Sequence, residues 1–313
     1  MKILLVGINK TNINYKKVEG FYNAFSKIGI VEWVQDIFSC KGTGYDLCFG
    51  EININDILSN IESYKNLKIK TQIFWSSFCL QKIIFLANLI QESNFFCYYK
   101  SNVLNKDILT QYKSKYGESY QFSGCEGLNV NDFIKLESSK ILKNLTIGYL
   151  PCCLSEKGNE FCNEKIYDIC YFGTILNRPR IAKILNHLSN KYNVISTAWD
   201  KNIKVSPNEC IEYYKKTKLT ISEQISPVVL EYPVRMGECS ANGCKFFLLE
   251  EVALKHDNFF IPNYEFSFSE DELISKIEIY LQNYELQSSF ELFNSFISTY
   301  DNAVQHLIRR INL

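Results

Sequence analysis

Histidine is scarce in this chain, and all three histidines, His187, His256 and His306, fall in its second half. The first half therefore offers no imidazole for general acid–base work, and a base there has to be a carboxylate, with Asp46 and Glu51 as the candidates. No Asp-x-Asp pair occurs, so there is no evident carboxylate clamp for a divalent ion, and no metal or cofactor is expected. Cys-x-x-Cys is missing too, and no histidine stands at ligand spacing from a cysteine pair, which argues against a zinc site despite twelve cysteines. Cys48, Cys79, Cys97 and Cys170 interrupt apolar runs and read as small buried hydrophobes in a reducing compartment. The adjacent pair Cys152-Cys153 reads as linker packing.

Net charge is lacking as well: 34 basic residues balance 34 acidic ones. Nothing in that total steers the chain toward nucleic acid or an anionic membrane. The longest apolar stretch, near Ile83–Ile90, falls far short of the roughly 20 residues of a membrane-spanning helix. Met1-Lys2 is followed by only four apolar residues before Gly7, too few for an export signal. A cytoplasmic location is expected, with peripheral membrane contact left open.

What is present is an ordinary globular composition, 46% hydrophobic and 22% charged, over 313 residues, enough for two domains with separate cores. Apolar strands alternate with helical periodicity from the start. Lys2–Val6, Ile30–Val34, Tyr45–Phe49, Lys70–Trp75 and Phe95–Tyr98 read as strands. Between them lie helical patterns at Val18–Lys27, Asn55–Tyr64 and Leu80–Glu92. This alternation predicts a doubly wound parallel sheet, in which ligands bind beyond the carboxyl ends of the strands. Gly7, Asn9, Lys10, Gly50, Glu51, Trp75, Ser76 and Ser77 occupy such positions. The indole of Trp75 would suit a sugar ring, or it is simply core.

After the strand Leu145–Pro151, the polar run Cys152–Lys165 reads as a connection between domains. Lys106–Gly127, with three glycines, reads as a loop. The second half begins with the strand Tyr167–Phe172, then Gly173-Thr174, then an amphipathic helix through Leu188 that Pro179 opens. Backbone N–H groups beside Gly173 are suited to a diphosphate, with Arg178 or Arg180 adding charge; two exposed arginines on a helix end is the plainer alternative. Asn193–Ser196 and Leu219–Ser222 are further strands, and Ser206–Glu209 is a capping box before the helix Cys210–Lys216. Glu223 follows its strand at the carboxyl end.

The stretch Tyr232–Glu250, YPVRMGECSANGCKFFLLE, organises the second half. Small residues around 239–241 suit a closely packed short helix, Asn242-Gly243 stops it, and Phe246–Leu249 reads as a buried strand. Arg235 and Glu238 then lie one turn apart. Together they can grip a phosphate and a ribose hydroxyl pair, or they form an intrahelical ion pair.

Arg-x-x-Glu-x-x-x-x-Gly followed by an apolar strand resembles the nucleotide-sugar site of two-domain GT-B glycosyltransferases, above all the CgeB-like, spore-maturation-protein branch. Arg235, Glu238, Ala241 and Gly243 fall in register with the pattern, while Gly237 replaces the usual aromatic and Lys245 intrudes before the strand. The likeness covers roughly Tyr167–Leu307, including Gly173 with its nearby arginines and the segment Ser298–Asn302. It implies an α/β fold with two Rossmann-like doubly wound domains facing a cleft: an acceptor-side domain over 1–151, a donor domain over 152–290, and a last helix, 291–313, that crosses back to the first domain. It also implies a glycosyltransferase taking a nucleotide-diphosphate sugar, with an unidentified acceptor; the missing Asp-x-Asp pair points to metal independence, and the scarcity of bases suits a retaining transfer better than an inverting one, with both open. Donor contacts would be Gly173, Thr174, Arg178, Arg180, Glu223, Arg235, Glu238 and Gly243. Asn9, Trp75 and Ser76 would serve the acceptor side, and Asp46 or Glu51 would serve as base. Related enzymes carry a second carboxylate eight residues before Glu238; here that place is Leu230, with Glu231 one position off. They also carry an Asp after the fourth strand, where this chain has serines. A glycan-binding or surface-layer relative without catalysis is the alternative these departures keep open.

Overall fold

The computed structural model describes residues 1–7, 15–75, 80–99, 110–111, 113–115, 117–118, 144–150, 153–173, 175–176, 178–197, 205–223, 233–250 and 262–311. Asn9, Ser76, Thr174, Leu230, Glu231 and most of 106–127 lie outside them. The chain divides into two units: Met1–Cys152 with Pro227–Glu231 and Tyr300–Leu313, and Cys153–Ser226 with Tyr232–Thr299.

In the first unit, short apolar runs become parallel strands, as they do where both faces of a sheet are covered. Lys2–Val6 (β1), Ile30–Val34 (β2), Leu47–Gly50 (β3), Thr71–Trp75 (β4), Asn94–Tyr99 (β5) and Leu145–Tyr149 (β6) form one sheet in the order β2-β1-β3-β4-β5-β6. Every neighbouring pair is parallel. Helices Tyr15–Ser26 (α1), Ile54–Ser59 (α2), Ile61–Asn66 (α3) and Leu80–Leu89 (α4) connect them. The chain leaves β1 toward β2 and then returns to place β3 on the other side, so the switch point lies between β1 and β3. There the strands come so close that a Cβ on Gly50 would meet the Val6 carbonyl oxygen at 1.9 Å, and Gly50 adopts φ +152. An aromatic core fills the space beneath α1: Phe21 lies 4.5 Å from Phe49 and 4.8 Å from Trp75, ring centre to ring centre.

The second unit repeats the plan. Tyr167–Tyr171 (β7), Val194–Ser196 (β8), Thr217–Glu223 (β9), Lys245–Leu249 (β10) and Tyr264–Ser267 (β11) form a parallel sheet in the order β11-β10-β9-β7-β8. Its helices are Pro179–Leu188 (α5), Pro207–Lys215 (α6), Val234–Ser240 (α7), Glu270–Gln282 (α8) and Leu286–Ser295 (α9). α6 starts at the capping box read from the sequence, with Ser206 and Glu209 bonding each other's backbone. The core joins Ile169 and Tyr171 of β7 to Ile181, Ile184, Leu185 and Leu188 of α5 and to Leu273 and Ile277 of α8. Here the switch point lies between β7 and β9.

Tyr300–Ile311 (α10) belongs to the first unit, where Tyr300 packs edge-on against Phe21 at 5.1 Å and Lys27 meets Asp301 at 2.6 Å. Gly20 makes room for it, since a Cβ there would fall 2.3 Å from the Tyr300 ring. The molecule is thus an α/β protein of two parallel-sheet, Rossmann-like domains, as the alternation of strands and helices predicts. Two expected elements differ. The helix expected over Asn55–Tyr64 is broken at Asn60 into α2 and α3, and the tail expected as one helix is α9 and α10 with an extended step between. Among the described residues no helix is long and apolar enough to cross a membrane. No disulfide forms among them, and Cys48, Cys97 and Cys170 are buried, with burial pushing each thiol pKa up.

Candidate functional site

The carboxyl edge of the second sheet collects most of the residues singled out above. Gly173 lies two residues beyond β7, Arg178 caps α5, Glu223 ends β9, and Arg235 and Glu238 sit on α7. α5 and α7 are crossover helices, and a crossover helix starts at the edge where its preceding strand ends. Sequence order and parallel pairing therefore bring Gly173, Arg178, Glu223 and Arg235 to the switch point, where an open α/β sheet binds ligands.

Arg235 is half-buried, its guanidinium over the Tyr171 ring with 5.9 Å between the guanidinium carbon and the ring centre. It also borders Gly173, where a Cβ would meet Arg235 Nη1 at 3.4 Å and the Tyr171 hydroxyl at 3.2 Å. Arg235 forms no ion pair with Glu238, which removes the intrahelical alternative. Both residues act on the thiol of Cys210 in α6. Burial, then the Glu238 carboxylate, pushes that thiol up to about 11, with Arg235 opposing. Arg235, Glu238 and Cys210 therefore share one neighbourhood.

The two arginines of α5 separate clearly. Arg180 donates from Nε to Glu270 at 3.1 Å and from Nη2 to the Phe268 carbonyl at 2.8 Å, and its Nη1 faces Glu223 at 3.7 Å. It is engaged in joining the β11–α8 turn to the end of β9, and as a diphosphate ligand it is the lesser candidate. Arg178, half-buried, makes no side-chain hydrogen bond or ion pair with the described residues, so its guanidinium is the one available.

Other expectations need correction. The Gly173 N–H does not face outward for a phosphate; it donates to Thr197 Oγ1 at 3.1 Å, and Gly173 serves by lacking a side chain. Gly243 stands in a turn rather than beside Arg235. It takes the left-handed φ of +69 in the turn after α7, and its carbonyl accepts from Lys165 at 3.3 Å. Seven helical residues carry the chain about 10 Å back across the sheet, to the amino end of β10 and the opposite edge. Asp46 is not placed as a base, since it precedes β3 at the amino edge of the first sheet. Its carboxylate takes Lys70 Nζ and the Lys2 N–H, each at 2.8 Å, and these bonds, Lys70 first, hold its pKa below the usual range. Glu51, directly after β3 at the first switch point, is the carboxylate at a ligand-binding edge. Trp75 is 2% exposed, packs on Phe21 and Phe49, and donates its indole N–H to the Leu150 carbonyl at 3.2 Å, so it offers no face to a sugar.

Two departures from the expected pattern find their reasons here. A Cβ on Gly237 would lie 2.0 Å from the Cys153 carbonyl oxygen, so no aromatic fits where α7 rests on the 153 backbone. Lys245 opens β10 and pairs across to Glu265 of β11 at 3.5 Å, with burial lowering its pKa. Among the described residues, no group of three or more His, Cys, Asp or Glu is arranged to hold a metal ion. The residue the sequence did not reveal is Thr197. It stands one position past β8 and donates its N–H to the Tyr171 carbonyl at 3.1 Å. A threonine after a three-residue strand carries no pattern; only the rule that ligands gather at strand ends flanking a switch point would have found it.

No family model matches the chain, and no curated protein sequence does. Among solved structures it is similar to a sucrose-phosphate synthase from Thermosynechococcus elongatus, at 9% identity over 100% of this chain and 99% of that one, with a TM-score of 0.49. It is similar to a UDP-GlcNAc 2-epimerase from Methanocaldococcus jannaschii, solved with UDP-GlcNAc and UDP, at 10% identity over 99% and 100% of the two chains, with a TM-score of 0.46. A third likeness is to a chain of the GtfA/B complex, at 12% identity and a TM-score of 0.42; 82% of this chain matches, spanning 60% of that chain's length. All three fall below a TM-score of 0.5, and the functional reading rests on this chain's own residues.

Proposed function

We propose that the chain is a glycosyltransferase of the GT-B class, of the CgeB-like branch, taking a nucleotide-diphosphate sugar as donor. One observation carries this reading: Arg235, without an ion-pair partner among the described residues, borders side-chain-free Gly173 at the switch point of a Rossmann-like sheet, with Arg178 and Glu223 at the same edge. A guanidinium at a strand-end glycine, with a second arginine at the start of the following helix, is chemistry for a diphosphate. Glu238, one turn from Arg235, is the acceptor for ribose hydroxyls. The arginines neutralise the leaving diphosphate, so metal independence is part of the proposal. A retaining transfer, in which the departing diphosphate takes the acceptor's proton, needs no strong enzyme base; Glu51 is the carboxylate we assign to the acceptor side.

Removing a charged hydrogen-bond partner costs about 1.5–3 kcal/mol, so Glu238→Ala should weaken nucleoside diphosphate binding about 10- to 150-fold by calorimetry. A variant that binds as wild type does would overturn the role of Glu238. Slow release of nucleoside diphosphate from a panel of nucleotide sugars supports an enzyme. Binding without release supports the non-catalytic alternative.

A further inference from the structure

We propose that Thr197 is a further ligand of the donor's phosphates, its hydroxyl donating to a phosphate oxygen beside Gly173. The inference rests on the donor-site reading above and adds a residue to it. β7 and β8 pair as far as Tyr171 and Ser196, so Thr197 is the first residue beyond the sheet on the β8 side of Gly173. Two bonds fix it there: its N–H donates to the Tyr171 carbonyl, and its Oγ1 accepts the Gly173 N–H, each at 3.1 Å. A threonine hydroxyl has one proton to give and two lone pairs. In Thr197 one lone pair is used, and the proton is given to no protein atom among the described residues. Accepting a bond from a backbone amide polarises an O–H and makes it a better donor.

The space this proton can reach is bounded by the same glycine that Arg235 borders. Thr197 and Arg235 both adjoin Gly173, with its amide nitrogen 3.1 Å from Thr197 Oγ1 and its absent Cβ position 3.4 Å from Arg235 Nη1. An oxyanion at Gly173 would be within reach of both a charged donor and a polarised hydroxyl. What sets this place apart from a neutral hydrogen-bonding site is the guanidinium charge of Arg235 beside Gly173. That favours phosphate.

The test is calorimetric titration of wild type, Thr197→Val, Thr197→Ser and Arg235→Ala with UDP, GDP and ADP and with the matching nucleosides, alongside thermal melts. We expect Thr197→Val to weaken the diphosphate about tenfold or more while leaving the nucleoside unchanged, and Thr197→Ser to restore wild-type binding. Diphosphate affinity unchanged in Thr197→Val, or an equal loss for nucleoside and diphosphate, overturns the proposal and leaves Thr197 as a tie for the turn. Should Thr197→Val not fold, Thr197→Cys, which keeps an atom in place but donates weakly, is read by the same criteria. If wild type binds no diphosphate, the donor-site reading itself fails, and this inference with it. If Arg235→Ala loses binding and Thr197→Val does not, only this inference fails.

Discussion

At the scale of single residues, the distinction that matters is between charges tied to the protein and charges left for a ligand. Asp46, Arg180 and Lys245 are tied, each to partners fixed by the sheet. Arg178 and Arg235 have no ion-pair partner among the described residues. In the sequence these classes look alike, because an arginine near a helix start reads the same whether or not a carboxylate 90 positions away reaches it, as Glu270 reaches Arg180. The assignment of Asp46 has a consequence in pH. Its folded pKa is depressed, so its contribution to stability is present above the unfolded value of about 3.9 and is lost as pH falls through the folded one. Asp46→Asn should therefore be less stable than wild type in urea at pH 7, and the gap should close in strong acid. A gap that persists at all pH values would show that the carboxylate's charge is not what stabilises.

At the scale of elements, strand and helix existence was legible because apolar runs and 3.6-residue periodicity report burial directly. Breaks were less so. The apolar spacing runs unbroken through Ile54, Ile57, Ile61 and Tyr64, yet Asn60 turns its side chain back to the Asp56 carbonyl at 3.0 Å and ends α2. That is competition between a short polar side chain and the helix ladder, which spacing does not register. The site was half legible for a related reason. A glycine-and-arginine cluster after an apolar strand is visible in one dimension, but α7 sends the two ends of its motif to opposite edges, so Gly243 and Arg235 look equivalent on paper and are not. In the sequence Lys165 reads only as the end of the connection between domains. Its ammonium donates to the Lys215, Asn242 and Gly243 carbonyls at 2.8, 3.4 and 3.3 Å, closing α6 and the turn after α7 with one side chain. Lys165→Met should lower the stability of the second unit by about 2–3 kcal/mol, read from urea unfolding, because buried carbonyls lose a charged partner. A loss under half a kilocalorie would mean other groups satisfy them.

At the scale of the whole molecule, two sheets follow one plan, each with its switch point beside the first strand. The first unit is assembled from separated pieces of sequence, and α10 is its last piece. Deleting residues 300–313 uncovers Gly20 and Phe21 and removes the Lys27–Asp301 pair, of which the aromatic packing is the larger part. Hydrogen exchange should then rise in α1 and β1 while β7 and β9 stay protected; exchange unchanged in α1 would show that α10 is dispensable to it. The same arrangement sets an order during synthesis. A ribosome releases α1 well before α10, and at about 5–20 residues per second the stretch between Ser26 and Tyr300 takes roughly 14 to 55 seconds to emerge. Through that interval α1 carries a greasy groove with nothing to fill it, so the lobe translated first is the one completed last.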